Sequence, residues 1–149
     1  MKTIIGDLWT IDAAWRIIPT NLVVRRDGRA VMGAGVALDA FRKYPQLAVE
    51  LGEAIRQLHW APLTRPVTHF PAYRLSCLPT KYDWRERSNV DLICRGLRQF
   101  VDDLPTLDPL TSIALPMLGC GLGGLPATTV RPLLERLLDD RFVLVLCQR

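Results

Sequence analysis

Two glycine-rich segments carry the residue types best suited to chemistry in this chain. The first is Met32–Gly35 and the second is Gly119–Gly124. Glycine lets the backbone approach a ligand closely, and backbone N–H groups at a helix N-terminus attract anions. Each segment lies between a strand-like and a helical pattern, so the pair predicts a clamp for the two phosphates of a pyrophosphate. The alternative is two unrelated tight turns.

A third segment, Lys81–Arg87, begins with one of only three lysines in an arginine-rich chain. A lysine amine can act as a nucleophile, which a guanidinium cannot. Tyr82 and Trp84 alternate with charged residues, among them Arg85 and Arg87. This pattern suits stacking on a nucleobase beside phosphates. The alternative is a solvated loop whose rings pack on the body of the protein.

Two polar residues accompany the first two predicted strands. Asp7 follows the first strand, where its carboxylate can accept a hydrogen bond from an adenine amino group or simply form a turn. Asn21 lies within the second strand and must find partners if it is buried. Those partners are either ribose hydroxyls or neighbouring backbone, and the sequence leaves both choices open.

Apolar patterning predicts the elements that position these groups. Short β-rich runs predict strands at 2–5, 17–24, 67–70, 73–78, 112–115 and 142–146, which leaves Lys81 on a loop. Helical spacing predicts helices at 36–44, 47–58, 88–104 and 128–138, the third opened by a capping box at Ser88. Because strands and helices alternate, we expect one sheet covered by helices on both faces.

Composition bounds the class of protein. The chain has 149 residues, 49% hydrophobic and 23% charged, which suits one globular domain. Its net charge of +4 permits a polyanionic partner without requiring one. No apolar run is long enough to span a membrane. Four scattered cysteines (Cys77, Cys94, Cys120 and Cys147) with only His59 and His69 do not favour a metal site, and they suggest buried thiols in a reducing cytoplasm.

Together these segments resemble a macrodomain over nearly the whole chain. The matching motifs are Gly6-Asp7-Leu8, Thr20-Asn21, 31–37, Leu78-Pro79-Thr80-Lys81 with Trp84-Arg85, and 115–125. The pattern is similar to DNA ADP-ribosyl glycohydrolase antitoxins of the DarG type, within the group that includes the terminal ADP-ribose protein glycohydrolase. The resemblance implies an α/β fold, a three-layer α/β/α macrodomain with a central mixed sheet, as a single domain over residues 1–149.

The chain departs from these relatives at three places. The segment after Lys81 is Tyr82-Asp83, where DarG-type proteins tend to be more basic. The terminal ADP-ribose protein glycohydrolase has an acidic residue in the loop where this chain has Gly123 and Gly124. The loop 25–30, which contains three arginines, looks longer than in the DarG-type antitoxins. Without the loop acid, catalysis would depend on Lys81 or on an acid from elsewhere.

The resemblance also implies a function, which is removal of ADP-ribose from a DNA base without a cofactor or metal. Lys81 would act at the anomeric C1″, as nucleophile or electrostatic catalyst, and Asn21 would lie near the distal ribose as a second catalytic candidate. Asp7 would contact adenine. The implied ADP-ribose contacts are Asp7, Leu8, Thr20, Asn21, Met32, Gly33, Ala34, Gly35, Val36, Pro116, Leu118, Gly119, Cys120, Gly121, Leu122 and Gly123. The implied nucleic-acid contacts are Tyr82, Trp84, Arg85 and Arg87.

Other functions stay open on the sequence. The chain could be a non-catalytic reader of ADP-ribose, or a hydrolase of a small ADP-ribose metabolite or of ADP-ribosylated protein. The expected partners are ADP-ribose or an ADP-ribosylated substrate, and nucleic acid, with no membrane. A cytoplasmic monomer is the default expectation for so compact a domain.

Overall fold

A computed structural model describes residues 1–58, 63–107 and 112–147, so His59 lies outside the described residues. Within those ranges it contains six strands, four α-helices and two short 3₁₀ turns. The strands are β1 (Lys2–Ile5), β2 (Trp15–Asn21), β3 (Thr68–Phe70), β4 (Leu75–Lys81), β5 (Ile113–Leu115) and β6 (Phe142–Leu146). The helices are α1 (Gly35–Lys43), α2 (Leu47–Leu58), α3 (Val90–Asp103) and α4 (Ala127–Leu137), and the 3₁₀ turns are Pro71–Tyr73 and Leu104–Thr106.

The six strands form one mixed sheet in the order β1-β6-β5-β2-β4-β3. Every neighbouring pair is parallel except β3 and β4, which are antiparallel. Helices cover both faces of this sheet, which confirms the predicted three-layer α/β/α fold. A largely parallel sheet needs this double cover because both of its faces are apolar.

Consecutive residues of β2 show the two core layers. Ile17 and Ile18 are both fully buried, yet they belong to different hydrophobic clusters. Ile17 packs in the cluster that holds the apolar faces of α3 and α4, and Ile18 packs in the cluster that holds α1 and α2. Successive strand side chains point to opposite faces, so β2 is buried on both sides.

A crevice forms where β2 and β5 separate. These strands pair only at Trp15 and Arg16 of β2, whereas β2 and β4 stay paired as far as Asn21. The chain continues from β2 to α1 on one face and from β5 to α4 on the other. In an open α/β sheet, ligands bind beyond the carboxyl ends of two strands that diverge in this way.

The structure corrects the predicted start of the third helix. The first helical residue is Val90, and its N-cap is Asn89, whose side chain accepts a hydrogen bond from Leu92 N at 3.0 Å. The capping box predicted at Ser88 was therefore wrong. The backbone N–H of Ser88 instead donates to Gly123 O at 2.9 Å, so Ser88 belongs to the loop contacts described below.

Two strand predictions also change. The second strand was predicted over 17–24 but ends at Asn21, and Val24 instead bridges Ala30 in the turn that follows. The strand predicted over 73–78 begins at Leu75, after a 3₁₀ turn, and continues to Lys81. Lys81 is therefore the last residue of a strand, and not part of a loop as predicted.

Candidate functional site

A cavity of about 610 Å³ opens at the crevice between β2 and β5. This volume lies within the range of pockets that hold nucleotide-sized ligands. Its lining comes from the ends of β2, β4 and β5, the start of α1 and the segments that follow these strands. The lining residues are Pro19, Thr20, Asn21, Val31, Met32, Gly33, Ala34, Gly35, Val36, Ala37, Thr80, Lys81, Trp84, Ser88, Pro116, Met117, Gly119, Gly121, Leu122 and Gly123.

Both predicted glycine segments line this one cavity, from different sides of the crevice. Gly35 and Gly119 have φ angles of +58° and +75°, in the left-handed region that favours glycine. At Gly33, Gly35 and Gly121, a Cβ would meet no protein atom within 4 Å. The backbone at these positions is therefore open to a ligand.

The N-terminus of α1 lies at the cavity wall. The helix begins at Gly35, and its N-cap residue Ala34 provides no side-chain hydrogen bond to the first turn. The first N–H groups of a helix have no partner within the helix and carry partial positive charge. An anionic ligand in the cavity can therefore accept hydrogen bonds from this end of α1.

Lys81 and Asn21 stand side by side at the carboxyl ends of β4 and β2, because the shifted register makes them direct partners. Lys81 is half-buried, and its Nζ donates to the carbonyl oxygen of Trp84 at 3.3 Å. Within 1–58, 63–107 and 112–147, Lys81 forms no ion pair with a carboxylate. Among the described residues, no acid therefore neutralises its charge by direct pairing.

The Asn21 amide braces the cavity wall. Its Nδ2 donates to Val31 O at 3.1 Å, and its Oδ1 accepts from Val23 N at 2.9 Å. Of the two open choices for this residue, the structure thus shows the bonds to neighbouring backbone. One N–H and one lone pair of the amide are left for other partners, so contact with a ribose stays a prediction.

Arg85, one of the two arginines predicted to contact nucleic acid, is paired within the Lys81–Arg87 segment. Asp83 Oδ2 accepts from Arg85 Nη2 at 2.8 Å, and Oδ1 accepts from Arg85 Nε at 3.0 Å. These hydrogen bonds lower the pKa of Asp83 to about 2 and raise the pKa of Arg85. The guanidinium carbon also lies 5.5 Å from the ring centre of Trp84. Much of the Arg85 charge is therefore compensated by Asp83.

The residues after Arg85 join the second glycine segment to β4. Arg87 Nη2 donates to Gly124 O at 2.9 Å, and Ser88 N donates to Gly123 O. Asn89 N donates to Thr80 O at 2.8 Å. This chain of bonds holds the Gly119–Gly124 loop in place beside Lys81.

Two large apolar side chains are exposed on the cavity lining. Trp84 is 52% exposed and Leu122 is 83% exposed. Of the four predicted nucleic-acid residues, Trp84 alone lines this cavity. Tyr82 lines a separate apolar cavity of about 210 Å³ with Leu22, Ile55, Leu58 and Leu63.

Several predicted ADP-ribose contacts lie away from the cavity lining. Leu8 and Leu118 are buried in the core, so their side chains contribute to packing. Cys120 directs its thiol to Leu118 O at 3.6 Å, and burial raises its pKa. Asp7 is exposed, and its Oδ1 accepts from Trp9 N at 2.8 Å, as in the turn alternative. A contact between Asp7 and adenine stays a prediction.

Six lining residues were not among the predicted contacts. Four of them already lie within the motifs 31–37, 78–81 and 115–125, and Pro19 directly precedes Thr20, so counting every motif residue and its neighbour as a contact would have found these five. Ser88 differs, because its place depends on the contact with Gly123. The six are Pro19, Val31, Ala37, Thr80, Ser88 and Met117.

Neither a cluster of metal-ligand residues nor a helix of membrane-spanning length and apolarity is present in the part of the chain that the structure describes. No group of three or more His, Cys, Asp or Glu residues is arranged there to hold a metal ion. Likewise, none of the helices in those ranges is long and apolar enough to cross a membrane. The four cysteines are free thiols, of which Cys77 is buried and Cys94 and Cys120 are partly buried. Cys147 is exposed, so the expectation of a buried thiol was wrong there.

Known proteins resemble this chain in sequence and in structure. A DNA ADP-ribosyl glycohydrolase of Thermus aquaticus is 34% identical over an alignment of 119 positions that covers 73% of this chain. The macrodomain of Thermus aquaticus DarG superposes with a TM-score of 0.77 at 28% identity, covering 99% of this chain and 97% of that one. Thermosipho africanus DarTG in complex with ADP-ribose superposes with a TM-score of 0.80 at 25% identity, covering 99% of this chain and 42% of that one. No protein-family model matches the chain.

The similarity concerns one part of the longer relatives. This chain spans 31% of the length of the Thermus aquaticus glycohydrolase. It spans almost the whole of the solved DarG macrodomain. The shared region is therefore the macrodomain.

Proposed function

This chain is a macrodomain of the DarG type, and we propose on that basis that it binds ADP-ribose and releases it from modified DNA bases. One observation carries the proposal. Two glycine segments, an uncapped helix N-terminus and Lys81 line a single cavity of about 610 Å³. This arrangement combines sites for a diphosphate with an amine that has no acidic partner among the described residues.

We assign the diphosphate to the crevice between the two glycine segments. The open backbone at Gly33, Gly35 and Gly121 and the N-terminus of α1 provide N–H donors for phosphate oxygens. The distal ribose then lies toward the carboxyl ends of β2 and β4. The remaining amide N–H and lone pair of Asn21 can bind ribose hydroxyls there.

Lys81 would act on the bond between C1″ and the base. Hydrolysis breaks this bond, leaves a water-derived hydroxyl on C1″, and releases the base with a proton. The ammonium can stabilise charge that develops on an opened ribose, or the neutral amine can attack C1″ and later be displaced by water. In either case the Trp84 carbonyl orients the amine through its hydrogen bond.

Release of ADP-ribose from an ADP-ribosylated oligonucleotide tests the function. We expect wild-type protein to release it, Lys81→Ala to bind ADP-ribose in calorimetry without release, and Lys2→Ala to behave as wild type. Lys2 lies on the exposed strand β1, away from the cavity. Binding without turnover in the wild type would support the reader alternative. Unchanged release by Lys81→Ala would refute the lysine mechanism.

The cellular location and the oligomeric state of the protein stay predictions. The four free cysteines are compatible with the expected cytoplasmic location, where thiols stay reduced. We expect a monomer, which size-exclusion chromatography with light scattering can test.

A further inference from the structure

A turn between β2 and the first glycine segment carries three exposed arginines, Arg25, Arg26 and Arg29. Arg25 N donates to Arg29 O at 2.7 Å, and Gly28 takes a φ of +89° to close the turn. The exposed side chain of Arg56, on α2, lies beside this turn. Its guanidinium nitrogens would be 3.5 Å from a Cβ at Gly28. We call these four residues the arginine turn.

The backbone of the turn packs against α2 and is hydrogen-bonded to it. Ala30 N donates to Ala48 O at 2.8 Å. Gly52 of α2 packs against the turn so closely that a Cβ there would overlap Gly28 O. The backbone that carries the arginines is therefore held in one position, and ordering it on binding has little entropic cost.

One of these four arginines forms an ion pair with a carboxylate among the described residues. Arg25 pairs with Asp27 at 3.3 Å. In the described ranges, Arg26, Arg29 and Arg56 form no ion pair with a carboxylate. A cluster of unpaired guanidinium groups attracts an anion with several charges, and the planar fork of each group matches a phosphate.

The arginine turn is connected directly to the cavity. Both ends of its hairpin lie on the cavity lining, where Asn21 Nδ2 donates to Val31 O. Arg25 is four positions after Asn21 in the chain, so the turn begins at most about 14 Å from Asn21. A strand of a few nucleotides that leaves the cavity can reach it.

We propose that the arginine turn binds the phosphodiester backbone of the DNA strand next to the modified base. This inference rests on the proposed function, because it presumes that the ADP-ribose of that base occupies the cavity. The main contact with the DNA backbone would then come from the arginine turn and not from Arg85 and Arg87, whose guanidinium groups bind Asp83 and Gly124 O. The turn thereby favours a polymeric substrate over a free nucleoside.

Binding to a fluorescent, unmodified single-stranded oligonucleotide tests the proposal over a series of salt concentrations. The test variant is Arg26→Gln/Arg29→Gln. The matched control, Arg98→Gln/Arg136→Gln, removes the same charge from exposed positions on α3 and α4, which cover the other face of the sheet. We expect the test variant to bind about tenfold more weakly at 0.1 M salt, and its log-affinity against log-salt slope to flatten by about 0.7 per arginine. The control should keep the wild-type slope.

Measurements of ADP-ribose release from two substrates distinguish this proposal from the proposed function. For the test variant we expect KM to rise on an ADP-ribosylated oligonucleotide, with unchanged release from an ADP-ribosylated mononucleoside. Equal loss of DNA binding in the control pair, absence of DNA binding in the wild type, or equal loss on the mononucleoside would each overturn the proposal. Tighter, arginine-dependent binding of a poly-glutamate peptide would also overturn it, in favour of an acidic protein partner. With any of these outcomes, release of ADP-ribose from the mononucleoside by the wild type would still support the proposed function.

Discussion

Ser88 fills the space that a side chain at Gly123 would need. A Cβ on Gly123 would overlap Ser88 Oγ and would lie 2.6 Å from Gly119 O. Both residues are buried, and Ser88 N also donates to Gly123 O. An acidic side chain at Gly123 is therefore incompatible with this loop and with Ser88 in its present place.

Gly123→Ala should distort the second glycine segment. Overpacking typically costs about 1–3 kcal/mol, so we expect a lower unfolding free energy and weaker ADP-ribose binding, measured by urea titration and calorimetry. Gly121→Ala is the matched control for stability, because a Cβ at Gly121 meets no atom within 4 Å. Adding Ser88→Gly to Gly123→Ala should restore part of the stability. No rescue in this double variant would show that Gly119 O, and not Ser88, is the main obstacle.

Asn21→Asp should weaken the cavity wall. The carboxylate cannot donate to Val31 O, and two oxygens would then face each other at the present 3.1 Å. We expect a loss of about 1–3 kcal/mol in unfolding free energy at pH 7, measured by urea titration. The same change at Asn89 is the control, because aspartate caps a helix as well as asparagine does. Equal stability of the two variants would contradict the bracing role of Asn21.

Asn89→Ala should test the observed start of α3. It removes the acceptor for Leu92 N, and loss of an N-cap typically costs about 1 kcal/mol. Thermal unfolding should show the loss, and Asn89→Ser should recover most of it. If Ser88→Ala lowered helix stability and Asn89→Ala did not, the capping assignment would be wrong.

Asp103 should make stability depend on pH. Burial raises the pKa of this carboxyl, but hydrogen bonds from Arg65, His69 and Gln99 outweigh burial and lower the pKa below its ordinary 3.8. Its stabilising contribution is therefore present above about pH 4 and is lost as the pH falls through the lowered value. We expect Asp103→Asn to cost about 1–3 kcal/mol at pH 7 and clearly less at pH 3, measured by urea unfolding.

Asp139→Asn is the comparison for that experiment. Asp139 also has a lowered pKa, from hydrogen bonds with Arg141, but its side chain is 53% exposed. Solvent screens an exposed ion pair, so we expect Asp139→Asn to lower the unfolding free energy less than Asp103→Asn does. A pH profile of Asp103→Asn parallel to that of the wild type would refute the assignment to Asp103.

Local patterns were sufficient for most of the secondary structure. The helix at Leu47–Leu58 and the strand at Phe142–Leu146 agree with prediction because their apolar spacing depends only on nearby residues. The start of α3 was missed by contrast. Ser88 and Asn89 are both good cap residues, and nothing local tells which one a distant loop will engage. The contact between Ser88 and Gly123 made that choice.

The sequence by itself determined the positions of the glycines, of the Lys81 amine and of the arginines along the chain. The tertiary structure decided which of these groups meet. Parallel pairing of β2 with β4 sets Asn21 beside Lys81, sixty residues further along the chain. Ion pairing occupies Arg85, while the fold leaves Arg26 and Arg29 without an acid among the described residues. Strand register brings together residues that are far apart in the sequence, and each ion pair forms between only some of the charged residues that could pair. Local sequence patterns therefore could not predict these contacts.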